Sequence, residues 1–135
     1  MSDKPIFGPP PSPDDIIELA ERALEAIPER LARHVRGIGI VVEDAADDAT
    51  LAEMEIESPW ELTGLYRGRP LTERSVSDVV AEPDMIFLYR EPILLEWIET
   101  GEDLFRLVRN VLVHEIAHHF GFSDAEIAAL EKEMD

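Results

Sequence analysis

The sequence predicts an α/β fold of the mixed, α+β kind: a compact domain with a small sheet of about three strands packed with helices. Three observations lead there. Short runs rich in β-branched and aromatic residues at 37–43, 62–66 and 85–89 have the length and composition of strands. Between and around them, apolar residues recur at helical spacing, most regularly over 102–120. A chain of 135 residues that is 45% hydrophobic is long enough for one core and too short for two. Residues 1–11 read as a Pro-rich flexible tail and 12–135 as a single domain.

The elements follow in order. Ser12 is placed as the N-cap of a first helix, with Pro13 at N1 and Asp14 and Asp15 at the positive end of the helix dipole. Its apolar positions are Ile16, Leu19, Ala20, Ala23, Leu24 and Ile27. Pro28 ends or kinks it, and 29–34 continue for another turn or two. His34, between Arg33 and Arg36, is expected to meet the negative end of that helix. The run 37–43 is expected as a largely buried strand, and 44–54 as a short helix with a loose start. Ser58 and Glu61 have capping-box spacing and predict a single turn. A second strand over 62–66 is closed by the turn-forming 67–70, and a long mixed loop to residue 84 is expected as a lid or substrate rim. Residues 85–89 are the clearest strand, able to pair with an extended peptide if they lie at the sheet edge. The next helix starts at Glu91-Pro92, runs through Trp97 and Ile98, and ends at Gly101.

Composition excludes several classes of function. There is no cysteine, so neither a thiol nucleophile nor a Cys-ligated zinc site is available. Thirty acidic against 12 basic residues give a formal net charge of −18, which argues against nucleic acid and favours basic peptides over acidic ones. No basic n-region leads into an apolar run, and no stretch approaches membrane-spanning length, so a cytoplasmic protein with no membrane partner is expected.

The chemistry concentrates in Val113-His114-Glu115-Ile116-Ala117-His118-His119-Phe120-Gly121-Phe122-Ser123-Asp124. On a helix, residues four apart lie about 40° apart around the axis and one turn apart along it. His114 and His118 can therefore share one metal ion, with Glu115 placed as general base toward bound water. Both histidines continue the apolar stripe of Leu104, Leu107, Val108 and Val111, so they are expected to face the interior or a cleft. Gly121 can turn the chain through a positive φ, bringing Asp124 back as third ligand, ahead of Glu126 or Glu131. Ser123 with Glu126 also forms a capping box, which makes Asp124 the first residue of a terminal helix; the two roles are compatible. His119 points off the 114/118 face. Tyr66, Tyr89, Arg90 and His119 are the candidates for oxyanion or substrate contacts.

The chain resembles the small bacterial zincin-like metallopeptidases, sometimes called minimal metalloproteases. The resemblance is carried by the segment 113–124 and supported by 64–74 and 83–90. It implies a compact zincin-like fold with a small mixed sheet and the active-site helix near the C-terminus. It further implies Zn²⁺ held by His114, His118 and Asp124, with Glu115 as general base in hydrolysis of a peptide or protein substrate. Asp124 stands where the metzincin pattern has its third histidine. The alternative is a catalytically weak, metal-stabilised module that binds a basic partner without cutting it.

Overall fold

A computed structural model describes residues 8–68 and 84–135; residues 69–83, most of the expected turn and the loop that runs to residue 84, and the first seven residues of the tail lie outside the described residues. The chain runs α1 (Pro13–Ala26), α2 (Glu29–Ala32), β1 (Gly39–Glu43), α3 (Asp48–Glu53), a 3₁₀ turn (Pro59–Glu61), β2 (Gly64–Arg67), β3 (Met85–Tyr89), α4 (Arg90–Thr100), α5 (Leu104–His119) and α6 (Asp124–Met134). Among the described residues the result is a mixed α+β architecture with a three-stranded mixed sheet.

Helix ends follow the local chemistry. Ser12 caps α1, its hydroxyl accepting from the Asp15 backbone N–H while the Asp15 carboxylate accepts from the Ser12 N–H. Ser58 caps the 3₁₀ turn. Gly101 ends α4 at φ 69°, a conformation that favours glycine. β2 starts at Gly64 rather than Leu62, because Leu62 is still closing the 3₁₀ turn through its N–H to the Pro59 carbonyl.

The strand order is β1-β3-β2, with β1 parallel and β2 antiparallel to β3. This corrects two expectations. β3 is the central strand, so it offers no edge to an incoming peptide. β1 is half-buried rather than largely buried, because among the described residues it has a strand neighbour on one side only.

Alternation along the strands builds two different faces. On one, Ile86 and Leu88 of β3 and Tyr66 of β2 join a core with Ile16, Ala20 and Ala23 of α1, Val108, Leu112 and Ile116 of α5, and Ile127 and Leu130 of α6. On the other, Phe87 and Tyr89 of β3 and Leu65 of β2 pack with Ala46, Leu51, Ile56 and Leu62. A fully buried Leu or Ile in either set contributes about 1.5–3 kcal/mol by leaving water. Gly64 lies on the first face; a Cβ there would sit 2.8 Å from Val111 Cγ1 and 3.4 Å from Glu115 Cγ. Its missing side chain is what lets α5 lie close against β2.

The far ends of α5 and α6 are pinned together. Arg109, buried on α5, donates to the Asp135 carboxylate at 2.5 Å, and Arg106 donates to the same carboxylate at 2.6 Å. Among the described residues, no helix is long and apolar enough to cross a membrane.

Candidate metal centre

The buried face of α5 is centred on Val108, Leu112 and Ile116, each 0% exposed. His114 and His118 lie to one side of that line, and both side chains are 51% exposed. The expectation that they extend the buried stripe is therefore corrected: they stand at the rim of the core, where α6 crosses α5. Their ring centroids are 5.1 Å apart.

The turn after α5 delivers the third group. Phe120 N–H still bonds to the Ile116 carbonyl, Gly121 takes φ 81°, and Ser123 then caps α6 with Glu126 reciprocating. Asp124 is thus the first residue of a capped helix and also faces His118, with Asp124 Oδ1 3.4 Å from His118 Nε2. Two donor atoms on one tetrahedral zinc, at bond lengths of about 2.0–2.1 Å, stand about 3.3 Å apart. One ligand atom each from His114, His118 and Asp124 all lie within 4.8 Å of one another. Two imidazoles and a carboxylate, solvent-facing and leaving room for a fourth ligand, make a donor set that suits zinc. Glu126 spends its carboxylate on the Ser123 N–H.

Glu131 has a different place. Its Oε1 lies 3.3 Å from His114 Nδ1. Asp124 and Glu131 are seven residues apart on α6 and His114 and His118 four apart on α5, so two carboxylates from one helix face two imidazoles from the other. The sequence offers Glu131 only as a substitute for Asp124; its place beside His114 was not anticipated, although the seven-residue spacing on a capped helix was there to be seen.

Glu115 is half-buried beside the histidines. Burial pushes its carboxyl above the usual carboxylate range, against the opposing influence of His114, His118 and the nearby Tyr66 backbone N–H. Glu115 comes near β2 through the close approach at Gly64, a second feature missed in the sequence; a glycine in an otherwise bulky strand was its signal.

The remaining candidates divide cleanly. Tyr66 lies on the α5 side of the sheet, its hydroxyl donating to Asp84 at 2.7 Å and its ring stacked on His119 at 3.9 Å. A Cβ on Gly68 would come within 2.9 Å of His119 Nε2, so this stack is closely packed. Tyr89 lies on the opposite face, buried in the second cluster. Arg90 turns to the tail and the β1 end, donating to the Pro11 carbonyl at 2.7 Å and meeting Asp44 at 3.5 Å. The structure does not bring Tyr89 or Arg90 to the metal-ligand group. His34 lies just past the end of α2, and its ring stacks on Phe120 at 4.7 Å.

A cleft of about 320 Å³ opens beside His114 and Glu115, between α4 and α5.

Comparison with known proteins bears on the family and the fold. The sequence model of a family described as zincin-like metallopeptidase matches residues 35–134. A solved structure described as a conserved hypothetical protein from Thermo thermophilus is similar, with 26% sequence identity and a TM-score of 0.52 over 81% of this chain and 94% of that one. No curated protein matches the chain.

Proposed function

Since the chain belongs to the zincin-like metallopeptidase family, we propose that it is a zinc-dependent peptidase with His114, His118 and Asp124 as ligands and Glu115 as general base. The observation that carries this reading is the convergence of those three ligand atoms within 4.8 Å beside a carboxylate held in a desolvated position.

Zinc, when bound, supplies Lewis acidity that lowers the pKa of water and polarises a carbonyl. Everything else falls to the chain. Glu115 takes the proton of the attacking water and returns it to the leaving amine; a carboxyl raised by burial is better matched to both transfers than one in open solvent. The Tyr66 backbone N–H lies near that carboxylate. Glu131 accepts from His114 Nδ1–H, which fixes the tautomer and leaves Nε2 as the lone-pair donor. Exposed Asp124 and half-exposed histidines have room to rotate inward on a metal.

Substrate placement follows the corrected sheet order. An extended peptide adds to the outer side of β2, which has no strand neighbour among the described residues and lies directly against α5. Tyr66 and His119 are the oxyanion candidates on that side. The partner is a peptide or protein, with basic sequences favoured by a net charge of −18.

The test is peptide cleavage by zinc-loaded protein, with and without chelator, beside Glu115→Gln. Cleavage that chelator abolishes, zinc restores and Glu115→Gln lacks is the expected result. Cleavage persisting in Glu115→Gln overturns the assigned base. Bound zinc with no cleavage across a broad peptide set favours the non-cutting module.

A further inference from the structure

The cleft beside Glu115 has a graded lining. Leu107 and Val111 of α5 give it an apolar floor, Thr63, Thr100 and Asn110 give it neutral polar walls, and Glu96 and Glu102 supply carboxylates. His114 and Glu115 border it at the reacting end. From Leu107 to Glu115 the helix rises about 12 Å, so the cleft runs along α5 for the length of a long side chain rather than a methyl group.

Among the described residues, charge in the cleft is one-sided. Glu96 has no ion-pair partner among the described residues; only its backbone carbonyl is engaged, by the Thr100 hydroxyl at 2.8 Å. Glu102 meets Arg106 at 3.4 Å, but Arg106 is shared with Asp135 at 2.6 Å, so its positive charge is divided between two carboxylates. An anionic side chain entering here would meet Glu96, Glu102 and Glu115 together. A short apolar one would cover the floor and leave the acidic walls without a counter-charge.

We infer that this cleft is the specificity pocket for a substrate side chain with an aliphatic stem and a cationic head, lysine or arginine. The stem lies on Leu107 and Val111, the head reaches Glu96 and Glu102, and the attached backbone is left next to His114 and Glu115. The inference rests on the peptidase reading, and it narrows that reading's substrate class from peptides in general to peptides with a basic residue beside the cut bond.

The experiment separates the two claims. Blocked hexapeptides differing only in one central residue, Lys, Leu or Glu, are titrated into zinc-loaded Glu115→Gln protein by NMR. The same peptides are offered to wild type for cleavage. A Glu96→Gln, Glu102→Gln double variant is taken through both arms, its fold checked by circular dichroism. The Lys peptide should bind about threefold to fivefold tighter than the Leu peptide, as for a partly exposed charge pair, with the Glu peptide weakest. That ratio should fall toward one in the double variant and shrink with added salt. Equal binding of Lys and Leu peptides, or a Lys preference untouched by the double variant, overturns the pocket assignment even if cleavage is observed. A Lys preference in binding that depends on Glu96 and Glu102, with no cleavage by wild type, upholds the pocket and sinks the peptidase reading instead.

Discussion

Tyr66 and Tyr89 sit on adjacent strands of one sheet, are both buried, and face opposite ways. Tyr66 stacks on His119 and bonds to Asp84, and its own backbone N–H lies near Glu115. Tyr89 is enclosed by Ala46, Leu51, Leu62 and Leu65. The same side chain meets His119 and Asp84 on the α5 side in one case and fills the second cluster in the other. What separates them is the neighbour: a long helix brought close by Gly64 on one face, and a short helix and a 3₁₀ turn on the other. The sheet thus has one face that borders the candidate site and one that does not.

The largest expected effect breaks that asymmetry on the face that borders the site. Glu115→Gln should lower kcat/KM by about 10²–10⁴-fold, the range for loss of a general base. Tyr89→Phe, on the other face, should leave kcat/KM unchanged; a comparable loss there would mean the two faces are not functionally distinct.

Gly64→Ala tests the close approach itself. The added methyl overlaps Val111 Cγ1, so either α5 shifts or Val111 repacks, at a cost of about 1–3 kcal/mol in urea denaturation. Cleavage should fall as well, since the Tyr66 N–H is moved from Glu115. Unchanged stability and activity would show that the contact is not constrained.

A smaller effect is expected from Glu131→Gln. It should weaken zinc binding about tenfold to a hundredfold in chelator competition, as loss of an outer carboxylate on a ligating histidine does. No change would place Glu131 outside the metal site.

The smallest concerns the remote end of the α5–α6 pair. The hydrogen bond from Arg109, with help from Arg106, holds the Asp135 carboxyl below its ordinary value of 3.8. A folded-state pKa depressed in this way adds stability that is full above that ordinary value and is lost as pH falls through the folded one. Asp135→Asn should therefore be less stable than wild type at neutral pH, with the gap closing in acid below that value. A gap that widens in acid would reverse the sign and refute the pairing.

Much of this was legible in the chain because the signals are local. Ser12 and Pro13 mark the start of α1, Gly101 marks the end of α4, and β3 has the expected bounds, since caps, positive φ and apolar runs act within a few residues. The spacing of His114, Glu115, His118, Gly121 and Asp124 was informative for the same reason. What escaped depends on pairing across distance. Which strand is central is decided by contacts between β1, β2 and β3, and the most apolar run takes the middle. His114 and Glu131 are 17 residues apart and meet only because α6 folds back along α5. The exposure of His114 and His118 depends on where α6 crosses, and the sequence periodicity of α5 alone does not contain that. Tyr89 and Arg90 looked as available as Tyr66 until the register assigned each to a face.

The most direct test of the account is a zinc titration of metal-free protein against a competing chelator, run on wild type and on His118→Ala and Asp124→Ala. The account predicts one zinc per chain in wild type, loss of that binding in His118→Ala, and markedly weaker binding in Asp124→Ala. Wild type that binds no zinc, or variants that bind it as tightly as wild type, would contradict the metal centre on which the rest depends.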